Sequence, residues 1–326
     1  EALGAGDAAA LVGQTLGGRF LLTELLGKSD AALVFRANHK VLERDFAVKL
    51  LLKAARRDKR ALARFLREAK VASSVDHPNI VTIYDFGHSE AGDPYLVMEY
   101  VDGVSLRQAI AGSPGGRLPT PQALDLVLQV GRALEHAHGR GVVHRNIKPD
   151  NVALVHRDGH ADFVKVLDLG VARLVGQPSL TQKGEVIGTA EFLAPEAWGE
   201  EGAEVAPPMD LYALGILLHC AIAGRPPFVG ERGEIMLAHL HSAPPPLSVH
   251  SGDREVPRDL DELTARLLDK DPARRPRAEE AVAALEQIQS QLPPPSLRSL
   301  LLQKTLILPP KPAAEKPRWQ QATVVT

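Results

Sequence analysis

Cysteine, aromatic residues and net charge are all scarce in this chain of 326 residues. Its single cysteine, Cys220, excludes an internal disulfide, fits a reducing compartment and sits in an apolar run that reads as core. Lys and Arg number 38 against 40 Asp and Glu, a formal net charge of -2, so no concentrated cationic field argues for nucleic acid. Arg56, Arg57, Lys59 and Arg60 are the one dense basic run, read as a solvated loop before a helix. The longest apolar run, Leu211 to Gly224, is too short to span a bilayer and contains His219, which predicts a buried helix and no membrane segment within this chain. Metal-ligand spacing is missing as well. His136 and His138, and His239 and His241, are two residues apart, on different faces of any helix, with no acidic or Cys partner at ligand spacing. No signal-peptide pattern is visible, and the expected setting is cytoplasmic; the chain begins at Glu1 and not at Met, which leaves sequence beyond either end open.

What is present is apolar material, 44% of residues, enough for a substantial core. Residues 1–15 are Ala- and Gly-rich and read as a loose lead-in. Three strand-like runs, Arg19 to Leu26, Ala32 to Ala37 and Asp45 to Leu51, are separated by polar turns and predict an antiparallel meander. Ala61 to Val75 has helix-forming composition, and two further strands are expected at Ile80 to Phe86 and Tyr95 to Tyr100. After Gly103 the pattern turns helical. Leu124, Val127, Leu128, Leu134 and Ala137 recur at three- and four-residue spacing; a second long helix starts near Met209, and Leu260, Leu263 and Leu267 mark a third. Val282, Leu285, Ile288 and Leu292 close this part. From Pro293 the prolines preclude continuous helix or sheet, which makes 293–326 a tail or linker, although Leu297 to Leu308 is apolar enough to dock on the helical part or on a partner.

Two stretches carry the chemistry: His144-Arg145-Asn146-Ile147-Lys148-Pro149-Asp150-Asn151 and Val166-Leu167-Asp168-Leu169-Gly170. They resemble the catalytic and metal loops of protein kinases, H-R-D-x-K-x-x-N and D-F-G. Lys49 in Phe46-Ala47-Val48-Lys49 resembles the kinase V-A-I-K strand, and Met98-Glu99-Tyr100-Val101 resembles the gatekeeper and hinge. Gly188-Thr189, Ala194-Pro195-Glu196, Asp210 and Arg275 also fall in the family's order. The resemblance is to bacterial members of the Ser/Thr protein kinase family and covers roughly residues 18–292.

It implies an α+β, bilobal fold: a small antiparallel β-sheet lobe with one helix, residues 16–101, and a larger, mainly helical lobe, 102–292. It further implies ATP and magnesium in the cleft, with Lys49 paired to Glu68 near the phosphates and Lys148 in the catalytic loop. Asn151 and Asp168 are the implied metal ligands. Gly27, Val34, Ala47, Lys49, Met98, Glu99, Val101 and Ala153 are the implied nucleotide contacts. Thr181 and Thr189 lie in the implied activation segment, which ends at Glu196. His144, Arg145, Asp210 and Arg275 are implied framework residues, with Arg275 paired to Glu196, and the implied partner is a protein.

The chain departs from the family pattern where the chemistry is done. Asn146 stands where the family has the Asp base, and an amide accepts a hydrogen bond but takes up no proton near neutral pH. Of the glycines in G-x-G-x-x-G-x-V only Gly27 is present; Ser29 and Ala32 replace the others, and Asp30 adds a negative charge. Ala153 replaces a Leu beneath the adenine and Ala72 a Leu behind the Lys-Glu pair. These departures predict a pseudokinase with a regulatory or scaffolding role that retains Mg-ATP binding. The alternative is an active Ser/Thr kinase, transferring phosphate from ATP to protein, in which position 146 has been changed from Asp to Asn.

Overall fold

Period-two apolar residues between Thr15 and Glu99 build a six-stranded antiparallel sheet. Its strands are β1 (Thr15–Leu16), β2 (Phe20–Lys28), β3 (Ala32–His39), β4 (Arg44–Leu51), β5 (Ile83–His88) and β6 (Pro94–Glu99), in the order β1-β2-β3-β4-β6-β5. The computed structural model describes residues 10–28, 32–51, 69–90, 92–157, 160–168, 190–198, 206–251 and 256–292. Ser29 to Ala31, the Arg56 to Arg60 run, Glu68, Thr181, Gly188, Thr189 and the tail from Pro293 lie outside the described residues.

Both faces of this sheet are covered, which is why β4 is almost continuously buried. Phe46, Val48 and Leu50 join Phe20, Leu22, Leu33, Phe35, Tyr95 and Val97 in one apolar cluster. The alternate residues Ala47 and Leu51, with Leu96 and Met98 from β6, belong to the main core shared with the helices. Lys49 therefore projects to the same side as Ala47 and Leu51, toward the helical part of the molecule. The lead-in is tied down earlier than its composition suggests: Gly13 N–H donates to the Leu22 carbonyl at 2.8 Å, and Leu22 N–H to the Gln14 carbonyl at 2.9 Å. The fourth predicted strand begins at Ile83 instead of Ile80, because Ile80 bridges in parallel to Val166. Of the helix expected over Ala61 to Val75, residues 69–72 are described and helical, and Ala69, Ala72 and Val75 are buried.

The chain after Gly103 is mainly helical, with α1 (Leu106–Gly112), α2 (Thr120–His138), α3 (Pro208–Ala223), α4 (Arg232–His241), α5 (Leu247–His250), α6 (Arg258–Leu267) and α7 (Ala278–Gln291). Helix α1 starts with a capping box in which Ser105 and Gln108 satisfy each other's backbone N–H groups. Helix α3 is the predicted buried helix; every residue from Asp210 to Ile222 is buried, Cys220 included. Gly215 lets α6 approach it, since a Cβ there would lie 2.9 Å from Leu267 Cβ. Among the described residues no helix is long and apolar enough to cross a membrane.

The mainly helical part also contains strands that were not placed from the sequence. A second sheet, β7 (Val104–Ser105), β8 (Val152–Arg157) and β9 (His160–Val166), lies within this part in the order β7-β8-β9. Two-residue β7 pairs at long range and leaves little local pattern, but β8 and β9 pair locally, Arg157 opposite His160, and the Asp158-Gly159 dipeptide between their apolar runs was the readable hairpin signal. The sheet matters for the site because β8 follows directly on Asn151 and β9 leads into Asp168. It is also stitched to the first half of the chain: Val81 N–H donates to the Val166 carbonyl at 3.0 Å and Val166 N–H to the Asn79 carbonyl at 2.7 Å.

Candidate active site

Asp210, at the start of α3 and 1% exposed, is the anchor of the His144 loop. Its carboxylate accepts the backbone N–H of His144 and of Arg145, each at 2.7 Å, and the His138 Nε2 at 2.8 Å. Charge-assisted bonds of this kind are short and strong, and three of them fix the loop's entry. Loop and strand are then braced to each other. His144 Nδ1 accepts the Asn146 N–H at 3.3 Å, which leaves the proton on Nε2 to donate to the Leu167 carbonyl at 3.0 Å. Leu167 N–H donates to the Asn151 carbonyl at 2.7 Å, and Asn151 Nδ2 to the Asn146 carbonyl at 2.8 Å.

The result of this bracing is a cluster of the residues on which the chemistry was expected to rest. Asn146 Nδ2 donates to Asp168 Oδ2 at 3.3 Å, and the Lys49 ammonium lies 2.5 Å from Asp168 Oδ1. Lys49 thus pairs with Asp168; Glu68, its expected partner, lies outside the described residues. Arg145 and Asp168 hold left-handed backbone conformations, with φ of 64° and 58°, at a cost of about 1–3 kcal/mol each. Strain of this sort at two non-glycine residues of one cluster is maintained by the surrounding bonds.

The expected nucleotide contacts line the sheet side. Gly27 stands opposite Val34, Val34 opposite Lys49, and Ala47 opposite Met98 in register. Ala47, Met98 and Ala153 are buried, while Val101 is half-buried against the main core. Glu99 does something the sequence did not indicate. Its carboxylate takes the buried Lys165 ammonium at 2.8 Å, and its N–H donates to the Thr82 carbonyl at 2.9 Å. Neither its side chain nor its N–H is therefore left for a nucleotide, and any contact from Glu99 falls to its carbonyl.

Farther out, Arg275 and Glu196 form the expected pair, bidentate at 2.6 and 2.7 Å, with the Arg275 side chain fully buried. Arg275 also donates to the Pro208 and Asp269 carbonyls, and its guanidinium lies 4.7 Å from the Tyr212 ring centre. Beneath it His239 meets the Tyr212 hydroxyl at 2.9 Å, and burial pushes its pKa down to about 4. Lys148 is half-buried in the loop. Beside it Asp150 makes a bidentate pair with Arg107 at 2.7 and 2.9 Å. Burial alone would raise the Asp150 pKa, but the Arg107 bonds outweigh it and hold the carboxyl below its usual range.

Sequence reasoning missed three partnerships: His138 with Asp210, Lys165 with Glu99, and Arg107 with Asp150. It also missed a polar network in which Asn79 donates to the Val164 carbonyl at 2.8 Å and Gln129 bridges Val164, Asp125 and Asp162. A Lys flanked by Val164 and Val166 in a strand was the readable signal for a buried ion pair. The others join residues 43 and 72 apart and left no local trace.

As to a metal, Asp168 and Asn151 offer hard oxygen donors of the kind magnesium takes, and the Asn151 bond to Asn146 uses its amide nitrogen, not its oxygen. The pair fits that ion with one carboxylate charge. Among the described residues there is no cluster of three or more His, Cys, Asp or Glu able to hold a metal.

A strand lysine, a braced His-Arg-Asn loop and a following Asp, set between a small sheet and a helical half, define a kinase-like site. The protein kinase domain family model matches residues 20–285, and the chain belongs to the protein kinase family. It is 36% identical over 283 residues to the serine/threonine-protein kinase pkn3 of Myxococcus xanthus, covering 85% of this chain and 51% of that protein. A probable serine/threonine-protein kinase of Streptomyces coelicolor is 40% identical over 262 residues, 79% of this chain and 38% of the relative. PknB of Mycobacterium leprae is 37% identical over 284 residues, 86% and 44% respectively. The chain thus spans about half or less of the length of these curated relatives. Among solved structures, the PknI kinase domain of Mycobacterium tuberculosis matches with a TM-score of 0.66 at 30% identity, covering 85% of this chain and 98% of that one. The fold is that of a protein kinase, α+β, with a curled antiparallel sheet and a helical half.

Proposed function

We propose that this chain is a pseudokinase domain that binds ATP with magnesium, transfers phosphate little or not at all, and acts through protein partners in a regulatory or scaffolding role. The observation that carries the reading is Asn146. Its amide donates to Asp168 from the position where a base would have to accept a proton, and an amide does not do so near neutral pH. Lys49 and Asp168 are retained in contact, and Asn151, Met98 and Val101 remain for metal and adenine. When bound, the magnesium would draw off developing charge on the transferred phosphoryl group. The residues themselves bind and orient: Lys49 toward phosphate, Asn151 and Asp168 toward the ion, the hinge backbone toward the base.

A second reading, an active Ser/Thr kinase altered at position 146, has its own support. The relatives named above are serine/threonine kinases, and the framework of His144, Asp210, Glu196 and Arg275 is intact. Repair separates the two. A positioned base contributes about 10²- to 10⁴-fold, so if Asn146 were the sole defect, Asn146→Asp should recover that much phosphotransfer. We expect that change alone to stay near background on a generic basic protein substrate, and its combination with Ser29→Gly and Ala32→Gly to gain measurably. Robust transfer from the single change, or stoichiometric phosphate on Thr181 of the purified protein after incubation with Mg-ATP, overturns the pseudokinase reading.

A further inference from the structure

Three basic groups gather on Tyr212. The Arg275 guanidinium lies 4.7 Å from its ring centre, and its hydroxyl meets His239 Nδ1 at 2.9 Å and the Lys270 ammonium at 3.3 Å. The Glu196 carboxylate is already held at both oxygens by Arg275. Lys270 is left with neutral partners: besides the Tyr212 hydroxyl it donates to the Ala238 carbonyl of α4 at 3.2 Å, and its ammonium sits 4.7 Å from the Phe228 ring centre. Among the described residues no carboxylate is in ion-pair contact with it. An ammonium partly out of water, beside a guanidinium and without a counter-ion, is displaced toward the free amine, the form in which lysines act as nucleophiles. Burial first and the Arg275 charge second push the Lys270 pKa down to about 8, with Asp269 pulling the other way by less. The residue is half-buried and not sealed, which leaves part of it open to solvent.

We propose that Lys270 is an acylation site, its side-chain nitrogen taking an acyl group from a small activated donor, an acyl phosphate or a thioester. The neutral Nζ attacks the donor's carbonyl carbon, and the C–N bond forms as the C–O or C–S bond to the leaving group breaks. Phosphate or thiolate departs with the electron pair, and the proton shed by Nζ goes to solvent. The product amide is uncharged. It removes a cation from the Tyr212 cluster, weakens the hold on the Ala238 carbonyl of α4, and relieves His239 of a like charge that helps to depress its pKa.

The test is competitive labelling of the folded chain near neutral pH, with acetyl phosphate in one arm and acetyl-coenzyme A in the other, followed by mass-spectrometric counting of acetyl groups on each lysine. At a pH half a unit below 8, an amine with a pKa of about 8 is roughly a quarter neutral, against about 0.1% for one at 10.5. Lower basicity offsets part of that gain, so Lys270 should be acetylated about tenfold or more faster than the exposed Lys40 and Lys70. Its rate should level off about one unit above its pKa. In the urea-unfolded chain the preference should vanish, because the neighbours that create it are gone. Lys270→Gln, uncharged like the acylated side chain, should raise the His239 pKa followed by NMR. Labelling by acetyl phosphate alone assigns the donor to acyl phosphates, and by acetyl-coenzyme A alone to thioesters. A Lys270 rate no higher than those of Lys40 and Lys70 with both donors overturns the proposal, as does a preference that persists in urea. An unchanged His239 titration overturns the coupling to α4.

Discussion

Asp210→Asn removes a charge and almost no volume, which makes it the cleanest probe of how the loop is held. In the unsubstituted chain the carboxylate takes three donors, His144 N–H and Arg145 N–H at 2.7 Å and His138 Nε2 at 2.8 Å, with 1% of the residue exposed. Each charge-assisted bond is worth about 1.5–3 kcal/mol net, and a buried donor left unmatched costs about 1–3 kcal/mol. Asparagine keeps one acceptor oxygen and turns an NH₂ group toward at least one donor. The expected loss is about 3–5 kcal/mol, in line with breaking one side of a buried charged pair. For a domain of about 5–15 kcal/mol total stability this is a large fraction. Urea unfolding should show the midpoint falling with the slope unchanged. In a double-mutant cycle, His138→Asn combined with Asp210→Asn should cost less than the sum of the two, because they share one bond. A loss below about 1 kcal/mol, or strict additivity, would refute the view that Asp210 organises the loop.

Two further changes probe the framework away from the loop. Arg275→Lys should cost about 2 kcal/mol or more in unfolding free energy, since a lysine cannot reproduce the bidentate bond to Glu196 or the stacking on Tyr212, while Arg132→Ala, which breaks an exposed pair with Glu286, should cost under about 1 kcal/mol. Equal losses from the two would discredit the contrast in burial. His239 has its folded pKa depressed to about 4 from 6.5, so in that window the unfolded chain binds more protons and stability falls as pH drops from about 6.5 toward 4. Tyr212 and Lys270 are the groups that face it, and His239→Gln, which keeps a hydrogen bond to Tyr212, should flatten the slope of unfolding free energy against pH between those limits; an unchanged slope would assign the acid sensitivity elsewhere.

The strands of the first sheet were legible because alternation at Phe46, Val48 and Leu50 against Ala47 and Leu51 survives in the chain itself, and the helices α2, α6 and α7 because their apolar residues repeat at helical spacing. The loop cluster was legible as a motif: Lys49, Asn146 and Asp168 do come together. What escaped was side-chain direction. Glu99 looked like part of a nucleotide contact, yet its carboxylate turns to Lys165, which lies beside the Ile80–Val166 bridge between β9 and the first half of the chain. His138 looked like half of a failed metal pair, yet it serves Asp210 across a helix crossing. In each case the deciding geometry is tertiary, and local propensity has no access to it.

The retained and altered parts of the site divide along a physical line. The bonds that hold the His144 loop and its framework are kept at a cost: left-handed φ at Arg145 and Asp168, a fully buried Arg275, and an Asp210 carboxylate taken out of water. Such costs amount to several kcal/mol in a fold that has about 5–15 kcal/mol to spare, and a loop with only a connecting role would relax them. Within the His144 loop the group that differs is the one at the proton-accepting position, and an amide there is isosteric with a carboxylate, which leaves the brace through the Asn146 backbone to His144 and Asn151 undisturbed. A site that had lost all use for nucleotide would have no reason to keep Lys49 on Asp168 while giving up the base beside it. On the pseudokinase reading proposed above, a preserved binding frame without the proton acceptor is what a nucleotide-dependent shape would leave behind, and on that reading binding measurements bear on the domain's role more directly than turnover does.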